Sequence, residues 1–411
     1  MSSYAHEPTW RTALSGAQIL FVAFGATVLV PLLTGLNPSL ALLGAGVGTL
    51  IFQLCTKRQV PIYLGSSFAF IAPVIYSVQT WGMPATLGAL AAASFFYYVA
   101  AGLVKWRGIG FIHRLLPPVV IGPVVMVIGL GLAQVAVSMA TGKAGDAQVV
   151  PYETAIAIAA ISLLATMLTA IRAQGLLKLV PILVGVAVGY AASLFAGIVD
   201  FSKVHEAAWI AVPEFGKPEF NLAAILFMIP VAIAPIVEHV GGILAIGSVS
   251  GKDYTENPGL HRTLLGDGLA VNIVGLFGGP PVTTYGEVTG AVMLTRNYNP
   301  AIMTWAAGFA ILMAFVGKFG ALLQTIPMPV MGGIMVLLFG SIAGIGLKTL
   351  MDAKVNLASP RNLCIVSVTL VTGIGGLGVH LGSFSLQGIS LCGVLAVLLN
   401  FLLPAGKEDA A

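Results

Sequence analysis

The sequence predicts an all-α polytopic membrane protein of about fourteen transmembrane spans, arranged as two sets of seven. Three observations predict it. Of 411 residues, 58% are hydrophobic and only 8% charged, where a soluble domain carries roughly 25% charged residues. Apolar runs separated by charged or Pro/Gly breaks recur along the whole chain. When those runs are threaded in alternation, only Lys143, Lys203, Lys217 and Lys318 fall on one side, and the other Lys and Arg fall opposite. The bias is that of cytoplasmic loops, so both termini are expected inside.

A straight span needs about 20 apolar residues. The first set of runs covers 14–33, 40–56, 62–77, 83–104, 117–138, 154–171 and 179–198. The second covers 222–247, 264–278, 282–294, 301–317, 328–346, 363–379 and 386–404. A polar stretch, 199–221, divides them and is expected outside the membrane. Residues 1–13 and 405–411 are expected as cytoplasmic tails, and the first lacks the profile of a cleaved signal peptide. Because seven is odd, the second set enters from the opposite face, which permits an inverted repeat. The 50 glycines suit close helix approach in lipid.

The third span of each set is short and interrupted, at Leu64-Gly65-Ser66-Ser67-Phe68 and at Pro280-Pro281-Val282-Thr283-Thr284-Tyr285-Gly286-Glu287. Paired broken segments at equivalent places in two halves point to a transporter's binding site. Their composition favours short extended pieces. Backbone of that kind is tolerated at membrane depth only where it lines a cavity or pairs with its counterpart.

Nearly all of the 15 acidic residues lie in loops or tails, but Glu238 and Glu287 lie within apolar runs. A carboxylate there is costly and marks a functional site by default, with a helix-tying hydrogen bond as the alternative. Asp267 lies near a predicted cytoplasmic end, where a solvated or capping residue is the expectation and a transport role the alternative. His239 is adjacent to Glu238 and so turned away from it by about 100°, which favours a structural hydrogen bond. Gln18 is either helix glue or a supporting site residue. Phe68 and Tyr285 flank the interruptions, where stacking on a flat ligand competes with plain packing. Two carboxylates, aromatic faces and free backbone N–H groups describe a pocket for a planar amide: carboxylates accept from ring N–H groups and backbone N–H groups donate to ring carbonyls. Uracil offers both.

These same residues carry a resemblance. The words Phe24-Gly25-Ala26-Thr27-Val28-Leu29-Val30-Pro31, Tyr63-Leu64-Gly65-Ser66-Ser67-Phe68-Ala69-Phe70-Ile71, Glu238-His239-Val240-Gly241, Thr283-Thr284-Tyr285-Gly286-Glu287 and Ile326-Pro327-Met328-Pro329-Val330-Met331-Gly332-Gly333 occur in that order. Over about residues 12–404 the chain resembles the nucleobase–ascorbate transporter family. The resemblance implies a core domain (14–104 and 222–300) and a gate domain (117–198 and 301–404) in a seven-plus-seven inverted repeat. It places substrate contacts at Glu238, Glu287, Phe68, Tyr285 and Gly286. It further implies proton symport of a nucleobase, uracil first, in a bacterial inner membrane, with homodimers formed through the gate. Glu238 and Asp267 are the candidates for the proton.

Three positions depart from the family pattern. Its Gln-His pair reads Gln18-Ile19, its Glu-Asn-x-Gly signature reads Glu287-Val288-Thr289-Gly290, and a histidine one turn after the first site carboxylate is Gly242. The alternatives are a xanthine carrier, an anion transporter of the same fold, and a channel. Two carboxylates would repel an anion in a low-dielectric site. No nucleophile–base pair, metal cluster or phosphate loop marks an enzyme, and no cofactor is expected. Cys55, Cys364 and Cys392 lie in apolar runs and read as thiols, not a disulfide framework. A formal charge of +4 is too small and scattered to indicate nucleic acid.

Overall fold

A computed structural model describes residues 9–108, 110, 114–145, 147–381 and 384–404. Residues 1–8 of the predicted tail 1–13, and the predicted tail 405–411, lie outside the described residues, while residues 9–13 already belong to the first helix. The first half runs α1 (Thr9–Thr34), α2 (Pro38–Cys55), β1 (Leu64–Ser66), α3 (Ile71–Arg107), α4 (Pro118–Leu130), α5 (Ala133–Ala140), a hairpin of β2 (Lys143–Ala144) and β3 (Ala147–Gln148), α6 (Tyr152–Arg172) and α7 (Pro181–Phe195). After the connector helix α8 (Ser202–Glu206), the second half runs α9 (Leu222–Met228), α10 (Ile233–Ser250), α11 (Leu260–Leu276), β4 (Val282–Thr284), α12 (Gly286–Thr295), α13 (Ala301–Ala314), α14 (Gly317–Gln324) and α15 (Met328–Asp352). It ends with α16 (Pro360–Ile374), a hairpin of β5 (Gly378–Leu381) and β6 (Phe384–Gln387), and α17 (Gly388–Leu402).

Every predicted span coincides with one or more of these elements. Helix α3 is two spans joined at Gly82, whose φ of 82° and ψ of 168° break the helix just before Pro84. A left-handed φ there favours glycine, and proline restarts the helix cheaply at its first turn.

The halves interlock. Helix α2 packs on α13, and the second part of α3 packs on α11. Each contact has a polar tie. Gln53 Nε2 donates to the Pro300 carbonyl at 2.8 Å while its Oε1 accepts from Thr304 at 2.6 Å. Asn272 Nδ2 donates to the Ala91 carbonyl at 3.1 Å and to Ser94 Oγ at 3.2 Å. Such ties are favourable where lipid offers no competing water. Helices α1, α2, α3, α11 and α13 thus form one packed group around the broken spans. A second group is built on α15, which packs against α4, α5 and α6, with α16 and α17 beside α4. Helix α13, which starts at the expected boundary near residue 300, packs on α1 and α2, where Gly16 and Gly46 leave no room for even a Cβ against its backbone. The connector docks on the first group, where the Glu219 N–H donates to the Pro84 carbonyl at 2.9 Å.

Candidate functional site: two broken spans and a cleft

Strands β1 and β4 meet antiparallel, with Leu64 opposite Thr284, Gly65 opposite Thr283 and Ser66 opposite Val282. Two further backbone bonds extend the crossing, from Ser67 N–H to Pro281 O at 2.8 Å and from Tyr285 N–H to Tyr63 O at 3.1 Å. Of the two alternatives, lining a cavity or pairing with the counterpart, the pairing is present, and it satisfies backbone groups that lipid cannot. Side chains brace it from both faces. Thr49 Oγ1 accepts from Leu64 N–H at 2.9 Å, Ser66 Oγ donates to Thr27 O at 2.8 Å, and Tyr285 OH donates to Ser66 O at 2.9 Å. A Cβ on Gly65 would lie 2.4 Å from the Tyr285 ring and 2.9 Å from Thr27 Oγ1, so this position admits only glycine without rearrangement.

Each strand leads into a helix start. Ser67 (φ −80°, ψ 124°) and Tyr285 (φ −94°, ψ 120°) are extended, and helical turns follow from Phe68 and from Gly286. First-turn N–H groups lack partners within their own helix and carry the positive end of its dipole. Two such ends converge on the crossing, ready for acceptor oxygens.

Phe68 and Tyr285 are buried, and the Tyr285 ring is held by Gly65 and Ser66. Gly286 is exposed, with no heavy atom within 4 Å of where a Cβ would stand. Glu238 is exposed between buried Val237 and His239. Helix α10 packs on α12, and a Cβ on Gly242 would lie 3.0 Å from Thr284 Oγ1. One turn earlier, Glu238 therefore stands beside the start of α12. Gly241 also borders open space. Glu238, Gly241 and Gly286 thus border open space beside the crossing, a cleft on the surface of α10 and α12. The backbone of Glu287 occupies the first turn of α12; its side chain lies outside the described residues.

Gln18 Nε2 is buried without a hydrogen-bond partner. His239 turns away from the cleft, as expected, and is fully buried, its Nε2 3.0 Å from Thr263 Oγ1. Its Nδ1 lies 3.1 Å from Asp267 Oδ2, an ion-pair contact rather than a well-aligned hydrogen bond. The expectation of a solvated or capping Asp267 is overturned: it is 0% exposed. The apolar run starts at residue 264, but α11 begins at Leu260 and takes His261 and Arg262 into its first turn, so Asp267 sits two turns deep. Thr263, and Tyr97 with its buried, unpaired hydroxyl, were not singled out from sequence. Both sit at helical spacing in runs that read as packing, and no local signal separates them from it.

Inverted halves of seven spans, broken at matched places around a cleft, define a multi-pass membrane transport protein rather than an enzyme. The chain belongs to the permease family, whose model it matches over residues 11–382. It is 57% identical over 398 residues to a probable uracil permease of Pasteurella multocida, covering 97% of this chain and 95% of that one. It is 46% identical over 402 residues to the uracil permease of Bacillus caldolyticus (96% and 92% covered) and 40% over 395 residues to that of Escherichia coli K12 (96% and 92%). Among solved structures, the transmembrane domain of the cyanobacterial bicarbonate transporter BicA superposes with a TM-score of 0.68 at 16% identity, covering 96% of this chain and 98% of that one. The murine anion transporter Slc26a9, in its inward-facing state, gives 0.69 at 14% identity over 97% and 68%. These two likenesses concern the fold alone.

Proposed function

We propose that this chain imports uracil by proton symport, through alternating access, across a bacterial cytoplasmic membrane with both termini inside. The observation that carries the reading is the strand crossing, which turns two helix N-termini toward the cleft that Glu238 borders. Backbone N–H groups there suit the ring carbonyls of uracil, and carboxylates at Glu238 and Glu287 suit its ring N–H groups. The naming of the relatives as uracil permeases supports the same substrate. The packed group of α1–α3 and α10–α13 is the unit we assign to carry the ligand, moving against the group built on α4–α7 and α15–α17, through which two copies pair. Phe68 and Tyr285 border the ring, with Gln18 behind them.

Xanthine presents a similar imide edge and is the second reading, since Gly241 and Gly286 leave open space where a Cβ would stand. Binding of uracil to the purified protein, with xanthine, cytosine and bicarbonate as competitors, separates the readings. Uracil is expected to bind, xanthine to compete weakly, and the others to fail. Displacement by bicarbonate but not by uracil would contradict the proposal.

A further inference from the structure

The buried trio on α10 and α11 takes no part in the cleft, yet its contacts fix where a proton must sit. Thr263 Oγ1 donates to the Leu260 carbonyl at 2.9 Å. Its one proton is thereby committed, and it presents only a lone pair to its other neighbour. Across the 3.0 Å contact, His239 Nε2 must then be the donor. Nδ1 remains, 3.1 Å from Asp267 Oδ2. With no proton between them, a ring lone pair would face a carboxylate and a net negative charge would be buried where both side chains are 0% exposed. Isolated buried charge of that kind is strongly disfavoured. One added proton removes both difficulties. Imidazolium with carboxylate, or imidazole with carboxylic acid, is neutral, and the proton belongs to the pair rather than to either residue.

We propose that His239 and Asp267 form a proton-binding site separate from the ligand carboxylates, and that this pair loads and releases the coupling proton. The proposal rests on the proton-coupled reading given above. Its connection to the ligand is short. His239 follows Glu238, so a shift of α10 that repositions Glu238 also moves the imidazole against Asp267 on α11. Tyr97 of α3 is fully buried, its Cβ stands against Gly268 next to Asp267, and its hydroxyl has no hydrogen-bond partner. The other facing groups are Tyr98 of α3, which reaches Gly268 O at 3.5 Å, and on α2 the edge of Phe52, 6.2 Å from the imidazole, with Cys55 beside Gly266. Among the described residues no Lys or Arg forms an ion pair with Asp267. Loading takes one proton from water on the outer side. Release gives it to inner water once α10 shifts and hydrates the carboxylate.

The test uses the full chain in proteoliposomes, with Asp267→Asn and His239→Gln, whose amide still offers an N–H to Thr263. Three quantities are read: uracil binding, uracil exchange without net proton movement, and accumulation driven by an imposed proton gradient. Each is followed across about pH 5 to 8. Both variants are expected to bind and exchange uracil nearly as the parent does, with exchange no longer varying with pH. Their gradient-driven accumulation is expected to fall to the level of passive equilibration. Undiminished accumulation by Asp267→Asn would overturn the proposal. So would loss of binding and exchange together in both variants, which would mark the pair as a structural tie. If instead the parent binds uracil but a proton gradient drives no accumulation, the proton-coupled reading fails and not the pair's chemistry.

Discussion

Residues 64–69 and 282–287 follow one backbone course, in which a three-residue strand is followed by one extended residue and then a helix start. Their side chains differ at each matched place. Ser67 corresponds to Tyr285, Phe68 to Gly286, and Ala69 to Glu287, while Gly65 pairs across the crossing with Thr283. The shared course provides two converging helix ends. The differences make the two starts unlike: the first opens on buried Phe68, the second on buried Tyr285 followed by exposed Gly286. On the proposed reading, a planar ring between them would meet unlike partners on its two edges.

The largest effect is expected from making the strands alike. Gly65→Thr forces a Cβ to within 2.4 Å of the Tyr285 ring and 2.9 Å of Thr27 Oγ1. Overpacking of this kind costs about 1–3 kcal/mol or more. Thermal unfolding in detergent should show the loss, and uracil binding should vanish. Wild-type stability would show that the crossing is looser than described.

Next is Glu287→Gln, which removes the acid that distinguishes the second start. An acceptor becomes a group that can present N–H to ring N–H, and leaving buried polar groups unmatched costs about 1–3 kcal/mol. Uracil affinity is expected to fall about tenfold to a hundredfold. Unchanged affinity by calorimetry would remove Glu287 from the site.

Phe68→Ala tests the aromatic wall of the first half. Stacking beyond area burial is worth about 0.5–1.5 kcal/mol, so affinity should fall roughly two- to tenfold, less than for the acid. An equal or larger loss would reverse the assignment of roles between the halves. The smallest effect is expected from Tyr285→Phe. It keeps the ring over Gly65 and removes the bond to Ser66 O. A neutral hydrogen bond contributes about 1 kcal/mol, which should show as a modest fall in both stability and affinity.

The sequence made the scaffold visible because lipid imposes apolar runs and charged loops on any helix that spans it. The gap between the runs 62–77 and 83–104 anticipated the break within α3, and the two interruptions pointed to the crossing. The partners of α13 were not legible because helix partners leave no trace in hydropathy: α13 is as apolar as the helices of the second group, and Gly16, Gly46 and Gln53 show in the structure which neighbours it meets. Glu238 was legible as a costly carboxylate, and it is exposed between buried neighbours. Asp267 was misread because charged residues at the start of α11 disguised its depth. Its partners His239 and Thr263 come from spacing across two helices, which no local pattern encodes.

The most direct test of the central account is uptake of labelled uracil into proteoliposomes holding the purified chain, with an inward proton gradient and no sodium. The account predicts accumulation above equilibrium that a protonophore abolishes and that sodium does not alter. Uptake that ignores the protonophore yet collapses without sodium would contradict it.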